Sequence, residues 1–406
     1  MSRALLIALV LSVGPAVSNS FARFAYALVL PAMREQLAMD YAAAGWLNTA
    51  NAIGYLVGAI GTRLLVARTG NKPLFAWGMF VTAIAVLATG LSHDVTTLAL
   101  WRLLAGMGGA AVFICGGALS AHIATDRPDQ AMTMIAVYFA GGGIGLILCG
   151  VTIPVLLAQA GPQAWPSAWI GMGLVAVAMS VASLWALARI DEPAPAAATA
   201  SAPTGAGSLS GFVPAGVAYL LFGLGYIGYM TFIIAWLRQN GASTTDVVLM
   251  WSLLGVTTLA APILWRGPLA RWRGGRPMAA VMSVLALGAG LPLLAADSIT
   301  ILVSGALFGA AMFSVPSAIQ SLVKKGLPAR DWGSAMAVFT IVFAAGQIVG
   351  PVAAGRLADL LGTLAPGLGA SVGALVLGAL LALAQRDIRA NAAGAMPART
   401  QPGGRT

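Results

Sequence analysis

Between residues 4 and 386 the chain alternates long apolar runs with short polar breaks, and there are twelve runs, most about twenty residues long. Hydrocarbon offers no hydrogen-bond partners, so a spanning segment must satisfy its own backbone, which takes about 20 apolar residues as a helix. The pattern predicts helices over 4 to 30, 42 to 63, 73 to 92, 97 to 122, 131 to 158, 165 to 189, 212 to 236, 246 to 266, 278 to 296, 299 to 322, 332 to 357 and 364 to 385. They fall into two sets of six around an Ala/Pro/Ser-rich segment, Ile190 to Gly211. The expected fold class is therefore an all-α membrane protein of twelve transmembrane helices in two pseudo-symmetric six-helix bundles. One bundle spans 1–189 and the other 212–386, joined by a cytoplasmic linker at 190–211 and followed by a tail at 387–406. Linker and tail are too poor in large apolar residues to need a fold. The first run follows Arg3 as a signal peptide would, but it is too long for that and continues into Pro31 without a cleavage site, so it reads as helix 1.

Composition sharpens the picture. Hydrophobic residues make up 59% of the chain and charged residues 8%, with a mean hydropathy of +0.89, which excludes a soluble globular domain of this size. The 22 basic residues set the orientation. With the N-terminus in the cytoplasm, only Arg34, Arg238 and Arg356 fall on the far side, Arg23 and Arg102 lie inside helices, and the rest are cytoplasmic. This predicts a multi-pass protein of a bacterial inner membrane with both termini inside, working as a monomer. The net charge of +10 reports that topology, and no basic face is gathered for nucleic acid. Cys115 and Cys149 both fall within helices and suggest neither a disulfide framework nor a metal site, and nothing calls for a cofactor.

The halves are related by residues as well as by count. Ala67-Arg68-Thr69-Gly70-Asn71-Lys72-Pro73 is matched 204 positions later by Arg271-Trp272-Arg273-Gly274-Gly275-Arg276-Pro277. Gly141 and Gly145 of helix 5 are matched 205 positions on by Gly346 and Gly350 of helix 11. Parallel halves of this kind enclose a site at their interface and expose it by rocking, which is alternating access.

With these motifs the chain resembles the major facilitator superfamily over essentially its whole length. The loop after helix 2 is similar to that superfamily's Asp-Arg-x-Gly-Arg-Lys signature, with Arg68, Gly70 and Lys72 in place and Ala67 where the Asp is expected. Arg102 to Gly109 of helix 4 is similar to its Arg-x-x-x-Gly-x-Gly pattern. Arg23-Phe24-Ala25-Tyr26, Leu30-Pro31 and the run Ala50 to Tyr55 resemble the YbfB/YjiJ-type branch. The resemblance implies a transporter. The helix 11 run Gly346 to Pro351 looks like an antiporter motif but lies in the wrong half, so it is no evidence for antiport.

An arginine at the bilayer centre costs roughly 2.5 to 3.5 kcal/mol and should face a cavity, a partner or water. Arg23 and Arg102 have no evident acidic partner, because none of the twelve acids falls mid-helix. The missing anion is then expected from the substrate, since a guanidinium grips a carboxylate with two parallel hydrogen bonds. The alternative is that each arginine bonds helix carbonyls and braces the bundle. Asn19, Arg23 and Tyr26 share one face of helix 1, and Asn48, Asn51, Tyr55 and Gly58 one face of helix 2. Tyr138, Tyr226, Tyr229, Gln320 and Gln347 complete a candidate lining, against the reading that such polar residues are interhelical glue.

For gating, the expectation is that Asp331 pairs with Arg68, and Asp129 with Arg271 or Arg273, when the cytoplasmic side closes, in place of the Asp absent at 67; plain helix capping is the alternative. No embedded carboxylate offers a simple proton relay, so uniport, or entry of a weak acid with its own proton, stands open. His93 and His122 lie on opposite sides of the membrane by this topology and cannot assemble a catalytic or metal site, which argues against an enzyme. The competing readings are an exporter of amphipathic compounds, and a membrane receptor or scaffold.

Overall fold

The computed structural model describes residues 2–123, 128–192, 206–328 and 331–388, and twelve helices in them are long and apolar enough to cross a membrane. The first half holds α1 (Arg3–Gln36), α2 (Tyr41–Thr69), α3 (Asn71–Thr89), α4 (Val95–Ala121), α5 (Pro128–Ala160) and α6 (Trp165–Leu187). The second holds α7 (Val213–Gln239), α8 (Thr244–Arg271), α9 (Arg276–Leu294), α10 (Ser298–Gly326), α11 (Trp332–Leu361) and α12 (Ala365–Leu383). Several helices run past the apolar runs that predict them. α1 continues through Arg34, Glu35 and Gln36, because a helix can add polar turns outside the hydrocarbon at no cost to its own hydrogen bonding.

Starts of helices are fixed by side chains that take their orphan amides. Asp40 accepts from Ala43 N at 2.6 Å, Asp94 from Thr97 N at 2.8 Å, and Asp297 from Ile299 N and Thr300 N at 3.1 Å each, while Ser243 and Asp246 cap α8 reciprocally. All four caps stand at one end of the molecule, the end that carries the α1–α2 and α7–α8 loops.

Packing repeats as the caps do. α2 packs on α4, α3 on α6 and α5 on α1; α8 packs on α10, α9 on α12 and α11 on α7. Contact between α2 and α4 needs glycine, since a Cβ on Gly54 or Gly106 would run into the carbonyl of Leu103 or Asn51 on the facing helix. Large apolar side chains stand outward, among them Leu64, Ile263, Leu294 and Leu360, each more than two-thirds exposed, which suits lipid and not water.

The halves meet along α2–α11, α5–α8 and α1–α7. The linker begins docked: Ile190 is buried and Glu192 reaches the α2–α3 loop. Ile388, just past α12, packs toward Gly211 and Gly326.

Candidate functional site

α1 is not a uniform helix. Pro15 contributes no N–H, and the following nine residues, Ala16–Phe24, wind as a π-helix, which shifts carbonyls out of their α-helical pairings. Ser20 Oγ donates to Gly142 O of α5 at 2.6 Å, and Arg102 Nη1 of α4 donates to the carbonyl of Ala22 within the π-helical stretch. Arg102 is fully buried, donates through Nη2 to Asn48 Oδ1 at 3.2 Å, and has its guanidinium 4.8 Å from the Tyr26 ring centre. Asn48 Nδ2 then donates to Thr231 Oγ1 across the interface at 2.6 Å. Arg102 is thus the centre of a brace running from α4 through α1 and α2 to α7, and its charge rests on carbonyl oxygens and rings.

Arg23, at the end of the same π-helical stretch, is different. It is 8% exposed, its Nη2 is buried and has no hydrogen-bond partner, and its guanidinium lies 5.6 Å from the Tyr55 ring centre and 5.8 Å from that of Phe24. Those rings stabilise a cation by about 1 to 2 kcal/mol but take none of its N–H groups. Phe24 meets the second half edge-on at Tyr226 (6.4 Å) and Phe313 (6.0 Å).

Behind Tyr226 stands an aromatic ladder. Tyr226 stacks on Phe222 (5.2 Å) and Phe308 (6.4 Å), Phe222 on Phe343 (5.3 Å), Phe343 on Tyr219 (4.9 Å), and Tyr219 meets Phe339 at 6.2 Å. Phe339, with Phe212, Val217, Leu220 and Val342, lines an apolar cavity of about 420 Å³ between α7 and α11 at the end opposite the caps. Rings therefore run from that cavity to Arg23.

The remaining expected lining residues divide by whether their polar atoms are used. Tyr26 OH donates to Ala44 O (2.7 Å), Asn51 Nδ2 to Arg102 O (3.0 Å), Tyr138 OH to Val112 O (2.7 Å), and Tyr229 OH bonds Ser304 Oγ (2.8 Å). These four, with Asn48 and Arg102, tie helices together. Gln320 is exposed on the polar last turns of α10. Gln347 is buried at 2% exposure and its Nε2 has no partner.

The end that carries the caps is closed. Asp359 of α11 accepts from Tyr41 N (2.9 Å) and Ala42 N (2.8 Å), the first amides of α2. Gln239 Nε2 donates to Tyr41 OH, and Thr49 Oγ1 to Ile348 O (2.7 Å). Nothing in the hydrophobic pattern singles out Asp359; only its partners, 318 and 317 positions away in sequence, give it a role.

At the other end, Arg68 closes α2, Gly70 takes a left-handed φ of +79°, and Asn71 and Lys72 open α3. Glu192 accepts from Asn71 N (2.6 Å), Asn71 Nδ2 (2.7 Å) and Lys72 N (3.1 Å), so the carboxylate absent at position 67 is supplied from beyond α6. Burial alone raises the Glu192 carboxyl, but those hydrogen bonds and the Lys72 charge outweigh it and hold it below the usual carboxylate range. A depressed folded-state value stabilises above the ordinary pKa and is lost as pH falls through the folded one. Glu192→Gln is therefore expected to lower the melting temperature slightly at pH 7, with the gap from wild type closing under acid; a gap that widens on acidification would refute this. Arg273 pairs with Asp387, the first residue past the second half, at 3.5 Å, an exposed contact worth little. Arg271 ends α8, Asp331 stands at the N-cap position of α11, and the side chain of Asp129 lies outside the described residues.

Comparison with known proteins fits this architecture. The family described as "Uncharacterised MFS-type transporter YbfB" matches residues 16–383. The chain is 29% identical over 143 residues to the 3-(3-hydroxy-phenyl)propionate transporter of Escherichia coli strain K12, covering 34% of this chain and 33% of that one. It is 26% identical over 163 residues to the 4-hydroxybenzoate transporter PcaK of Pseudomonas aeruginosa, covering 40% of this chain and 35% of that one. The match thus spans about a third of each curated relative. Among solved structures, the nucleoside transporter NupG superposes with a TM-score of 0.72 at 14% identity, over 94% of this chain and 98% of that one. A bacterial homologue of the human lysosomal transporter Spinster, inward-facing and unoccupied, gives 0.69 at 14% identity, over 94% and 96%.

Proposed function

The chain belongs to the YbfB-type family of the major facilitator superfamily, and from that membership we propose that this multi-pass membrane transporter, which is not an enzyme, carries a small aromatic carboxylate whose anionic group pairs with Arg23. The observation that carries the reading is the buried guanidinium with a bare N–H group, facing a wall of rings. A buried cation without a counter-charge is costly, and a carboxylate removes that cost with two charge-assisted hydrogen bonds. Stacking on Tyr226 and its neighbours suits a ring attached to that carboxylate. The two curated relatives are transporters of aromatic acids by name, which agrees with both features.

Transport would proceed by rocking the bundles, residues 1–189 and 212–386, about the linker. With both termini cytoplasmic, the end bridged by Asp359 faces out of the cell, and the apolar cavity beside Phe339 lies toward the cytoplasm. When the cell-facing end closes in turn, Asp331 meets Arg68, and Asp129 meets Arg271 or Arg273. Either single change, Asp331→Arg or Arg68→Asp, should then reduce uptake into proteoliposomes, and the double swap should restore part of it; a double swap as poor as the worse single would remove that gate. A weak acid entering as its neutral form brings its own proton and needs no relay carboxylate.

Thermal-shift measurements on purified protein with small carboxylates and lipophilic cations test the substrate reading. Stabilisation by aromatic carboxylates that disappears in Arg23→Gln is expected. Stabilisation by cations that survives the change would instead support an exporter of amphipathic compounds, which the ring-lined route would also admit.

A further inference from the structure

Arg23 is not the only unsatisfied donor near the rings. Gln347 lies one turn beyond Phe343 on the same face of α11, and Phe343 stacks on Tyr219 (4.9 Å) and Phe222 (5.3 Å) and faces Tyr226 at 6.3 Å. Its backbone is pressed against α7 at Gly223, where an added Cβ would stand 3.3 Å from Gln347 N. The next residue along, Ile348, is bonded through its carbonyl to Thr49 of α2. Gln347 therefore sits at the seam of the two halves, on the second-half side, whereas Arg23 comes from the first.

A buried primary amide with its NH₂ unbonded costs about 1–3 kcal/mol. Asn48 and Asn51, the amides on the facing helix, both have partners, whereas the Gln347 amide nitrogen has none. Arg23 and Gln347 each leave a donor bare beside one run of rings, in which Phe24 and Phe343 both meet Tyr226, at 6.4 and 6.3 Å, and that arrangement suits a ligand with an acceptor at each end and an apolar plane between.

We propose that Gln347 is the second polar anchor of the substrate site, and that it reads an oxygen on the aromatic ring, so that the substrate class is the hydroxyaryl carboxylates. This deepens the Arg23 reading and rests on it. The amide can donate to a ring hydroxyl or, by turning over, accept from it, so a phenol is matched in either orientation. Because the two anchors belong to different halves, a ligand that reaches both also links them, and one that reaches only Arg23 does not.

Binding to the purified full-length transporter decides it, with 4-hydroxybenzoate and 3-(3-hydroxyphenyl)propionate measured beside benzoate and 3-phenylpropionate. Wild type should bind each hydroxylated acid about tenfold or more tighter than its deoxy counterpart, the ratio that one net hydrogen bond of a little over 1 kcal/mol supplies. Gln347→Met, of similar size and apolar, should bring the ratio near one while leaving the deoxy acids bound as before. Gln347→Asn, which withdraws the amide by one methylene, should do the same should the Met variant fail to fold. Equal binding of hydroxylated and deoxy acids by wild type, or a ratio that persists in both variants, would overturn the proposal while leaving Arg23 untouched. If no carboxylate binds wild type, or if all bind Arg23→Gln as well as wild type, the Arg23 reading falls and the Gln347 proposal falls with it.

Discussion

Arg23→Gln is expected to cost about thirtyfold or more in aromatic carboxylate affinity, since truncating one partner of a buried, hydrogen-bonded charge pair typically costs 2–5 kcal/mol. The empty protein should lose no stability, and its melting temperature should stay level or rise. Arg23 is buried, with one amine nitrogen bare and two rings for company, so removing its charge relieves a burden the empty carrier bears for function. Arg102→Gln is the control that separates the two arginines. It takes away the donors to Ala22 O and Asn48 Oδ1, at about 1–3 kcal/mol for each acceptor left bare, and loosens the link from Asn48 to Thr231. Its melting temperature should fall clearly. Differential scanning fluorimetry with and without ligand reads both effects. An Arg23→Gln protein that melts well below wild type when empty would mean that Arg23 is a brace like Arg102, and the anion site would have to be sought elsewhere.

That contrast also marks how far the residues alone could be read. Both arginines are visible in the sequence as expensive groups in apolar helices, and the twelve helices follow from runs of the required length. What distinguishes the arginines is not local. Arg102 bonds a carbonyl, that of Ala22, inside the stretch of α1 that winds as a π-helix after Pro15, and a run such as Ser18-Asn19-Ser20 looks like an ordinary polar helix face until the winding is known. Tyr219, Phe222, Tyr226 and Tyr229 could be found by their three- and four-residue steps along α7, but Phe24, Phe308 and Phe343 join them from three other helices. Tyr26, Tyr138 and Tyr229 share the chemistry of Tyr226 and differ only in what their hydroxyls meet. Glu192 replaces the missing acid of the α2–α3 loop from 121 positions away, too far for spacing to suggest. Helix content is set by local periodicity; the site is set by which polar groups remain unpaired once all the helices are packed.

The closed end of the molecule depends on such a pairing, and Asp359→Ala should open it. In the present state the Asp359 carboxylate accepts from the first two amides of α2, so a helix of one half is capped by a side chain of the other. Charge and hydrogen bonds at a helix N-terminus add, and at a solvent-exposed position their sum is about 1–2 kcal/mol. Because the bond exists only while this end is shut, its loss destabilises the shut state alone, and the ratio of open to shut molecules should rise about five- to thirtyfold. Asp359→Asn keeps one acceptor oxygen and loses the charge, so it should fall between. Spin labels at Gln36 and Leu361, both exposed beside this end, report the opening as a longer distance; Cys115 and Cys149 are buried and can be replaced by Ala for the purpose. Raising the salt concentration should narrow the gap between wild type and Asp359→Asn, because screening weakens the charge at that surface. Unchanged distances in Asp359→Ala would show that Gln239, Thr49 and the close contacts of α2 with α11 hold the end shut without it, and that the capping carboxylate is an accessory to a closure made by packing.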